Sequence, residues 1–303
     1  MDAFDKLDSA ELDRVLPFLL SAPDDSDESV TRLRLGFHEY LTDGELQWEG
    51  YRCGNLDRPT GLFLALLMPG STALVMIPNP GQGGNVADVQ QQILTAGLES
   101  LRDRNLHYAQ ILLDPRQATA RALLERVGFQ HLAPLLYLER DARYPWVDPP
   151  TAEEAAWLSY SPKTLGTFKD VVLDTYEGSQ DCPELCGQRP IDDILAAHRA
   201  SGRFDPQLWE VARIRGEDAG CLLLTRVTRG MLLEIVYVGV VPAQRRRGVG
   251  KLLLRRALQQ CRTTGARRLT VVVDERNAPA RRMYDNFAFE PIARRTAYLY
   301  HWH

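Results

Sequence analysis

Apolar positions along the chain recur with two different periods, most clearly in the second half. Residues 208–214, 219–228 and 231–241 are short runs rich in Val, Leu, Ile and Tyr, bounded by turn residues, and each predicts a strand. Residues 249–263 change to helical spacing, with Leu253, Leu254, Ala257, Leu258 and Cys261 on one face. A strand at 268–273, a helix at 278–287 and a last strand at 291–300 follow. Two more helices are predicted upstream, near 162–176 and 191–200. A strand–helix–strand crossover among hairpin strands predicts an α/β fold with a mixed sheet.

The first half repeats this order. A shift of 160 residues lays Asp114, Arg116, Ala118 and Arg121 on Asp274, Arg276, Ala278 and Arg281. The same shift carries Leu94 and Leu98 onto Leu254 and Leu258, and Phe129 onto Phe289. One fixed offset across strands and helices points to a duplication. Between the halves stand Pro145, Pro149 and Pro150, each lacking a backbone donor and forcing its predecessor out of helical geometry. Thr151 follows as a helix cap, with Glu154 at the capping-box position. The expected organisation is a first domain at 1–143, a proline-rich linker at 144–150 and a second domain at 151–303.

Composition narrows the class. Of 303 residues, 45% are hydrophobic and 25% charged, which excludes a disordered chain, a fibre and a disulfide-dense mini-protein. No apolar run approaches the roughly 20 residues that a membrane-spanning helix needs. The acidic start Met1-Asp-Ala-Phe-Asp5 is unlike a secretory signal. Five cysteines without a pairing pattern predict reduced thiols and a cytoplasmic protein. The net charge of −4 is unevenly shared. Residues 1–150 hold 13 basic against 22 acidic side chains, net −9, which leaves +5 for residues 151–303. An anionic ligand therefore belongs with the second half.

The segment suited to such a ligand is Val240-Val-Pro-Ala-Gln-Arg-Arg-Arg-Gly-Val-Gly-Lys251. A strand ends, the chain turns at Pro242, and Gly248 and Gly250 open a helix whose first N–H groups have no partners within it. With the helix dipole, those N–H groups make an anion site fitted to a pyrophosphate. Arg245, Arg246, Arg247 and Lys251 add charge beside it, and Val249 lies between the glycines. Glu234 is the second candidate. It interrupts the apolar strand Met231-Leu-Leu-Glu-Ile-Val-Tyr-Val-Gly-Val240, where partial burial would raise its pKa towards that of a general base. Cys182 and Cys186 are four residues apart without a second ligand pair, so no metal is expected. The basic cluster around Arg255, Arg256, Arg267 and Arg268 lacks interleaved aromatics, so neither nucleic acid nor membrane is expected as a partner.

Arg245 to Gly250 fit Arg/Gln-x-x-Gly-x-Gly/Ala and resemble the acyl-CoA signature of the GNAT superfamily of N-acetyltransferases. The resemblance covers roughly residues 208–300 and extends to Asn277, Tyr284 and Phe289. Ala288 stands where the family usually has glycine. The resemblance implies two tandem GNAT-like domains. The first is degenerate, with Asp88, Gln90, Gln117 and Leu124 opposite Gly248, Gly250, Asn277 and Tyr284, although Gly81-Gln-Gly-Gly84 lies close by. It also implies acetyl-CoA as cosubstrate, its pantetheine along Val238, Gly239 and Val240 and its pyrophosphate on the arginine–glycine loop. Arg281 or Arg282 would reach the 3′-phosphate, and Asn277 would orient the pantetheine. In this reading Glu234 is the base, Tyr284 protonates the departing thiolate, and an amine attacks directly in a ternary complex. The segment from Asp174 to Cys186 would border the acceptor groove. There Tyr176, Glu177 and Asp181 offer an acidic, aromatic surface to a small-molecule or peptide amine. A non-catalytic acyl-CoA sensor, or a partner-binding module on the same fold, is the competing expectation. The oligomeric state is left open.

Overall fold

The computed structural model describes residues 4–20, 47–79, 84–144, 155–227 and 231–302. The expected linker beyond Tyr144, the Thr151 cap with Glu154, and Gly81 to Gly83 lie outside the described residues. The chain forms two compact units, one of residues 1–132 with 295–303 and the other of residues 133–294.

The first unit contains β1 (Asp5–Lys6), α1 (Ser9–Leu20), β2 (Gln47–Asn55), β3 (Arg58–Met68), β4 (Thr72–Met76), α2 (Gly84–Ser100), β5 (Tyr108–Leu113) and α3 (Ala118–Val127). Successive strands pair antiparallel from β1 to β4, then β4 runs parallel to β5. The second unit holds β6 (Gln130–Asp141), β7 (Ala156–Ser159), α4 (Leu165–Tyr176), α5 (Ile191–Ala200), β8 (Trp209–Ile214), β9 (Glu217–Val227), β10 (Leu232–Val240), α6 (Val249–Thr264), β11 (Arg268–Asp274) and α7 (Ala278–Asn286). Strands β7 to β10 are antiparallel neighbours in sequence order, and β10 runs parallel to β11. In each unit the strand pairing is mixed, as the interleaved pattern predicts.

The units differ from the division drawn at the prolines. β6 belongs to the first repeat but pairs antiparallel with β11 from Arg268–Asp141 to Asp274–Leu135. β12 (Glu290–Tyr300) ends the second repeat but pairs antiparallel with β5, Thr296 opposite Leu113. The repeats have exchanged their last strands. Prolines mark where a segment cannot continue a helix or ladder, but the choice of sheet is made by the edge a strand finds.

Helices cover both faces of the second sheet. Leu253, Leu254 and Phe287 of the α6–α7 layer pack on Leu233 and Ile235. Phe168, Val172 and Leu195 of α4 and α5 pack on Trp209, Val211 and Leu223. Leu253 and Leu254 are fully buried, with the whole face read from the spacing of α6.

The duplication is visible atom by atom. Arg116 donates to Asp114 Oδ1 from its main-chain N–H and Nε, each at 2.9 Å, and to Oδ2 from Nη2 at 2.8 Å. Arg276 makes the same three bonds to Asp274, at 2.8, 3.0 and 2.7 Å. Each following helix ends alike, with Phe129 N–H donating to Leu124 O and Phe289 N–H to Tyr284 O. The residue before each phenylalanine is left-handed: Gly128 at φ +104° and Ala288 at φ +54°. Alanine is strained there because its Cβ crowds the carbonyl oxygen. Ala288→Gly should therefore stabilise the second unit by about 1 kcal/mol. Gly128→Ala should cost a similar amount, with both effects read as shifts in the urea midpoint.

Candidate active site

The site begins where two parallel strands part. β10 pairs with β11 only from Leu232–Arg268 to Ile235–Val271. Beyond that point β10 stays on β9 as far as Val240, and β11 stays on β6 as far as Asp274. The register of β10 on β9 slips between Ile235 and Tyr237, a bulge centred on Val236. A bulge bends its strand and increases local twist, which turns β10 away from β11. The facing edges of the two strands then have main-chain groups without ladder partners, inside a cleft of about 710 Å³.

The mouth of the cleft is built by the arginine–glycine loop. Gly248 is left-handed at φ +87° and caps α6, with no atom within 4 Å of where a Cβ would stand. Arg246, also left-handed at φ +62°, is a strained non-glycine residue in the same turn. The next constraint is on packing. A Cβ on Gly239 would lie 2.6 Å from Thr175 Cβ, so glycine lets β10 touch α4. Arg245 locks this arrangement from below, donating Nε to Val240 O at 3.1 Å and Nη2 to Thr175 O at 3.0 Å.

Val238, Gly239, Val240, Arg245, Arg246, Gly248, Val249, Gly250, Lys251, Asn277, Asp181 and Tyr284 all line the cleft, as does Arg282. Arg247 does not, and instead lines a second cavity on the other side of α6. Arg281 is also outside, its Nη1 donating to Glu275 O at 3.2 Å in the turn before α7. Thr175, Tyr237 and Met283 line the cleft without any sequence signal, because only the folded register brings them there. The Tyr237 hydroxyl lies 2.6 Å from Thr175 Oγ1, which donates to Val172 O, so the phenol is the donor of that pair.

Glu234 precedes the fork, opposite Thr270 on β11 and Thr225 on β9. Leu233 and Ile235 face α6 and α7, so Glu234 faces the α4–α5 layer, and it is not among the residues that line the cleft. Burial alone raises its pKa from 4.5 to about 7. Tyr284 enters from the opposite, α7 face, fully packed with its ring edge-on to Phe289 at 5.3 Å. Burial first, and the charge of Asp181 second, hold its pKa above the ordinary phenol value.

Residues 172–289 match the acetyltransferase (GNAT) family. This part of the chain is similar to GNAT acetyltransferases. A mycothiol acetyltransferase of Beutenbergia cavernae is 30% identical over 145 residues, 47% of this chain and 43% of that protein. The chain thus spans less than half the length of that curated relative. A GCN5-related N-acetyltransferase of Sphaerobacter thermophilus shares the fold with a TM-score of 0.68 at 19% identity, over 99% of this chain and 96% of that one. A tandem GNAT protein from the clavulanic acid biosynthesis pathway follows at 0.56 and 14% identity, over 98% of each chain. The fold is a tandem GNAT fold.

The acidic segment beside the cleft is less free than its sequence suggests. Asp181 accepts from the Asp274 N–H at 2.9 Å and from the Asn277 amide, while burial and the Asp274 charge raise its pKa. Asn277 meanwhile caps α7, accepting from Ala280 N–H at 3.2 Å, so its amide is occupied with structure. Glu184 is held by both Nη atoms of Arg276, at 2.7 and 2.9 Å. Burial would raise Asp274, but Arg276 and the Cys182 N–H outweigh it and keep the carboxyl below its usual range. Glu177 is exposed and outside the cleft; Tyr176 is outside as well, packing edge-on against Tyr237 at 5.6 Å. Of the acceptor residues read from sequence, only Asp181 reaches the cleft.

Glu234 gives a stability test. Its folded pKa is raised above the unfolded value, so its contribution is best below about pH 4.5 and is lost as pH rises through about 7. Glu234→Gln, which never ionises, should be more stable than wild type at pH 8 and indistinguishable from it at pH 4, by thermal melting in matched buffers.

Proposed function

We propose that the second unit transfers an acetyl group from acetyl-CoA to a primary amine, and that the first unit has lost its own cofactor site. The observation that carries this reading is the fork. Beyond Ile235, a strip of β10 edge without a partner strand on the β11 side faces a cleft bordered by a glycine-opened helix N-terminus. Extended amides of a pantetheine arm suit the strip, and a pyrophosphate suits the loop. Gly248 leaves the approach to the helix N-terminus open, and Gly239 lets β10 pack on α4.

Bound acetyl-CoA would supply the acetyl group, for direct attack by the amine in a ternary complex. Everything else is done by side chains of this chain. Glu234, with its pKa raised to about 7, takes the proton that an ammonium must lose before it is nucleophilic. Tyr284 keeps its phenol proton at neutral pH and delivers it from Oη to the departing sulfur. Cys182 lies near the same acids, and burial with the charges of Asp181 and Asp274 pushes its thiol up, which makes it a poor covalent carrier and supports direct attack. The relative's name, mycothiol acetyltransferase, supports a small-molecule acceptor. Asp181, at the cleft wall, is the carboxylate available to its ammonium. A cytoplasmic location accompanies this reading: all five cysteines are unbridged, and no described helix is long and apolar enough to cross a membrane.

In the first unit, Gln90 stands where the repeat offset puts Gly250. It is buried, and its amide bonds both main-chain groups of Leu62, at 3.0 and 2.7 Å. A side chain that satisfies a strand's main chain takes the place of a ligand, which supports a structural role for that unit.

Two experiments test the reading. Glu234→Gln and Tyr284→Phe should bind acetyl-CoA like wild type yet slow acetyl transfer roughly 10²-fold or more, followed by thiol release with an amine panel. Wild-type kcat/KM should rise with pH through about 7, and Glu234→Gln should flatten that rise. Tight binding without turnover on any amine would make the domain an acyl-CoA sensor instead. For the loop, Gly248→Asn keeps the left-handed turn without charge, whereas Gly248→Asp sets a carboxylate against the pyrophosphate. Calorimetry should find CoA affinity nearly kept in the first and lost in the second. Equal affinity in both would move the phosphates off the loop.

A further inference from the structure

CoA carries three phosphates, and the arginine–glycine loop accounts for two of them. On the α7 side of that loop, the side on which the sequence had suggested Arg281 or Arg282, the arrangement is poor in charge. Arg281 is bonded to Glu275 O, and Arg282 is the one α7 arginine that lines the cleft. The other side of the same loop is different. A separate cavity of about 640 Å³ opens between the start of α6 and the turn joining β8 to β9. It shares Gly248, Val249 and Lys251 with the cleft, so the two lie side by side at the helix N-terminus. Arg215, Arg247, Lys251 and Arg255 line it against a single carboxylate, Glu217. Ile214, Val249 and Leu252 give it an apolar wall.

Local structure aims these cations together. Arg215 and Gly216 form a two-residue hairpin turn, both left-handed at φ +53° and +86°. That turn carries the Arg215 side chain to the cavity, opposite α6. Arg247, Lys251 and Arg255 recur every four residues, on one edge of α6 and its approach. A low-charge ligand would gain nothing from four cations around an apolar wall; a phosphorylated nucleoside gains from both.

We propose that this cavity receives the 3′-phosphorylated adenosine end of the cofactor, with the 3′-phosphate on Arg215 and Arg247. The inference rests on the acetyl-CoA reading above and adds to it a specificity: the site distinguishes CoA from its 3′-dephospho form. The adenosine would turn around the α6 N-terminus, away from α7.

Calorimetry with CoA and 3′-dephospho-CoA tests this without reference to turnover. Wild type should bind CoA roughly tenfold or more tightly than the dephospho form, as expected for charge-assisted bonds to one phosphate. Arg215→Ala, whose site is outside the pyrophosphate loop, should lose most of that preference while binding 3′-dephospho-CoA as wild type does. Arg215→Ala/Arg247→Ala should lose the rest. Arg281→Ala/Arg282→Ala should keep it in full. Adenosine 3′,5′-bisphosphate should compete with CoA. Equal affinity of wild type for the two forms would overturn the proposal while leaving the acetyl-CoA reading intact. So would a preference that survives in the Arg215 variants and disappears in the α7 pair. Failure of wild type to bind either ligand would overturn both.

Discussion

The parting of β10 from β11 is the constraint on which the site depends. A parallel pair that stayed zipped to its end would bury the main-chain groups of Val236 to Val240 in a ladder and leave no slot. The bulge at Val236 bends β10, and α4 then has to hold the bent end. It does so through contacts that only small or exact partners permit. Gly239 lies against Thr175, and the Arg245 guanidinium joins Val240 O to the C-terminal carbonyls of α4. The same helix end, through Thr175, orients Tyr237 at the cleft wall. One local irregularity thus fixes a strand edge, a helix terminus and the phosphate loop that follows.

The strands and helices of the second unit were legible because their signals are local. Period-two runs, the helical face of α6 and the glycine pair before it need no knowledge of distant residues. The left-handed Gly248 is the case where a residue type and its conformation agree fully. Other features needed the fold. Arg245, read from sequence as a ligand for phosphate, spends its donors on main-chain carbonyls, a choice set by how near α4 comes to β10. Arg247 and Arg281 do not line the cleft, since neighbours on a turn or helix diverge by about 100° per residue. The acidic segment after α4 looked like free negative charge, yet Arg276 neutralises Glu184, and the turn before α7 engages Asp181. Arg276 is 92 residues from Glu184 in sequence, so no window along the chain could have paired them.

The two repeats separate what a fold must keep from what a site must keep. The Asp–x–Arg turn persists in both, as do the helix ends before Phe129 and Phe289, because each satisfies main-chain groups that cannot be left bare. Positions whose side chains would face a ligand have drifted. Leu124 occupies in the first unit the place of Tyr284, and Gln90 that of Gly250. Both are well packed where they are. Neither is a damaged version of its counterpart.

The exchange of final strands also sets an order of events during synthesis. β5 can be made and folded against β4 early, yet its outer edge is completed by β12, which is made only after β6 to β11. Until then the nascent first unit carries an open, apolar strand edge, with Ile111 and Leu113 beside it, of the kind that templates aggregation. The pairing of Thr296 with Leu113 spans most of the second repeat and makes closure a slow, late step. Production of the first repeat alone would therefore yield a sheet lacking its last strand, and the chain folds to completion only as a whole.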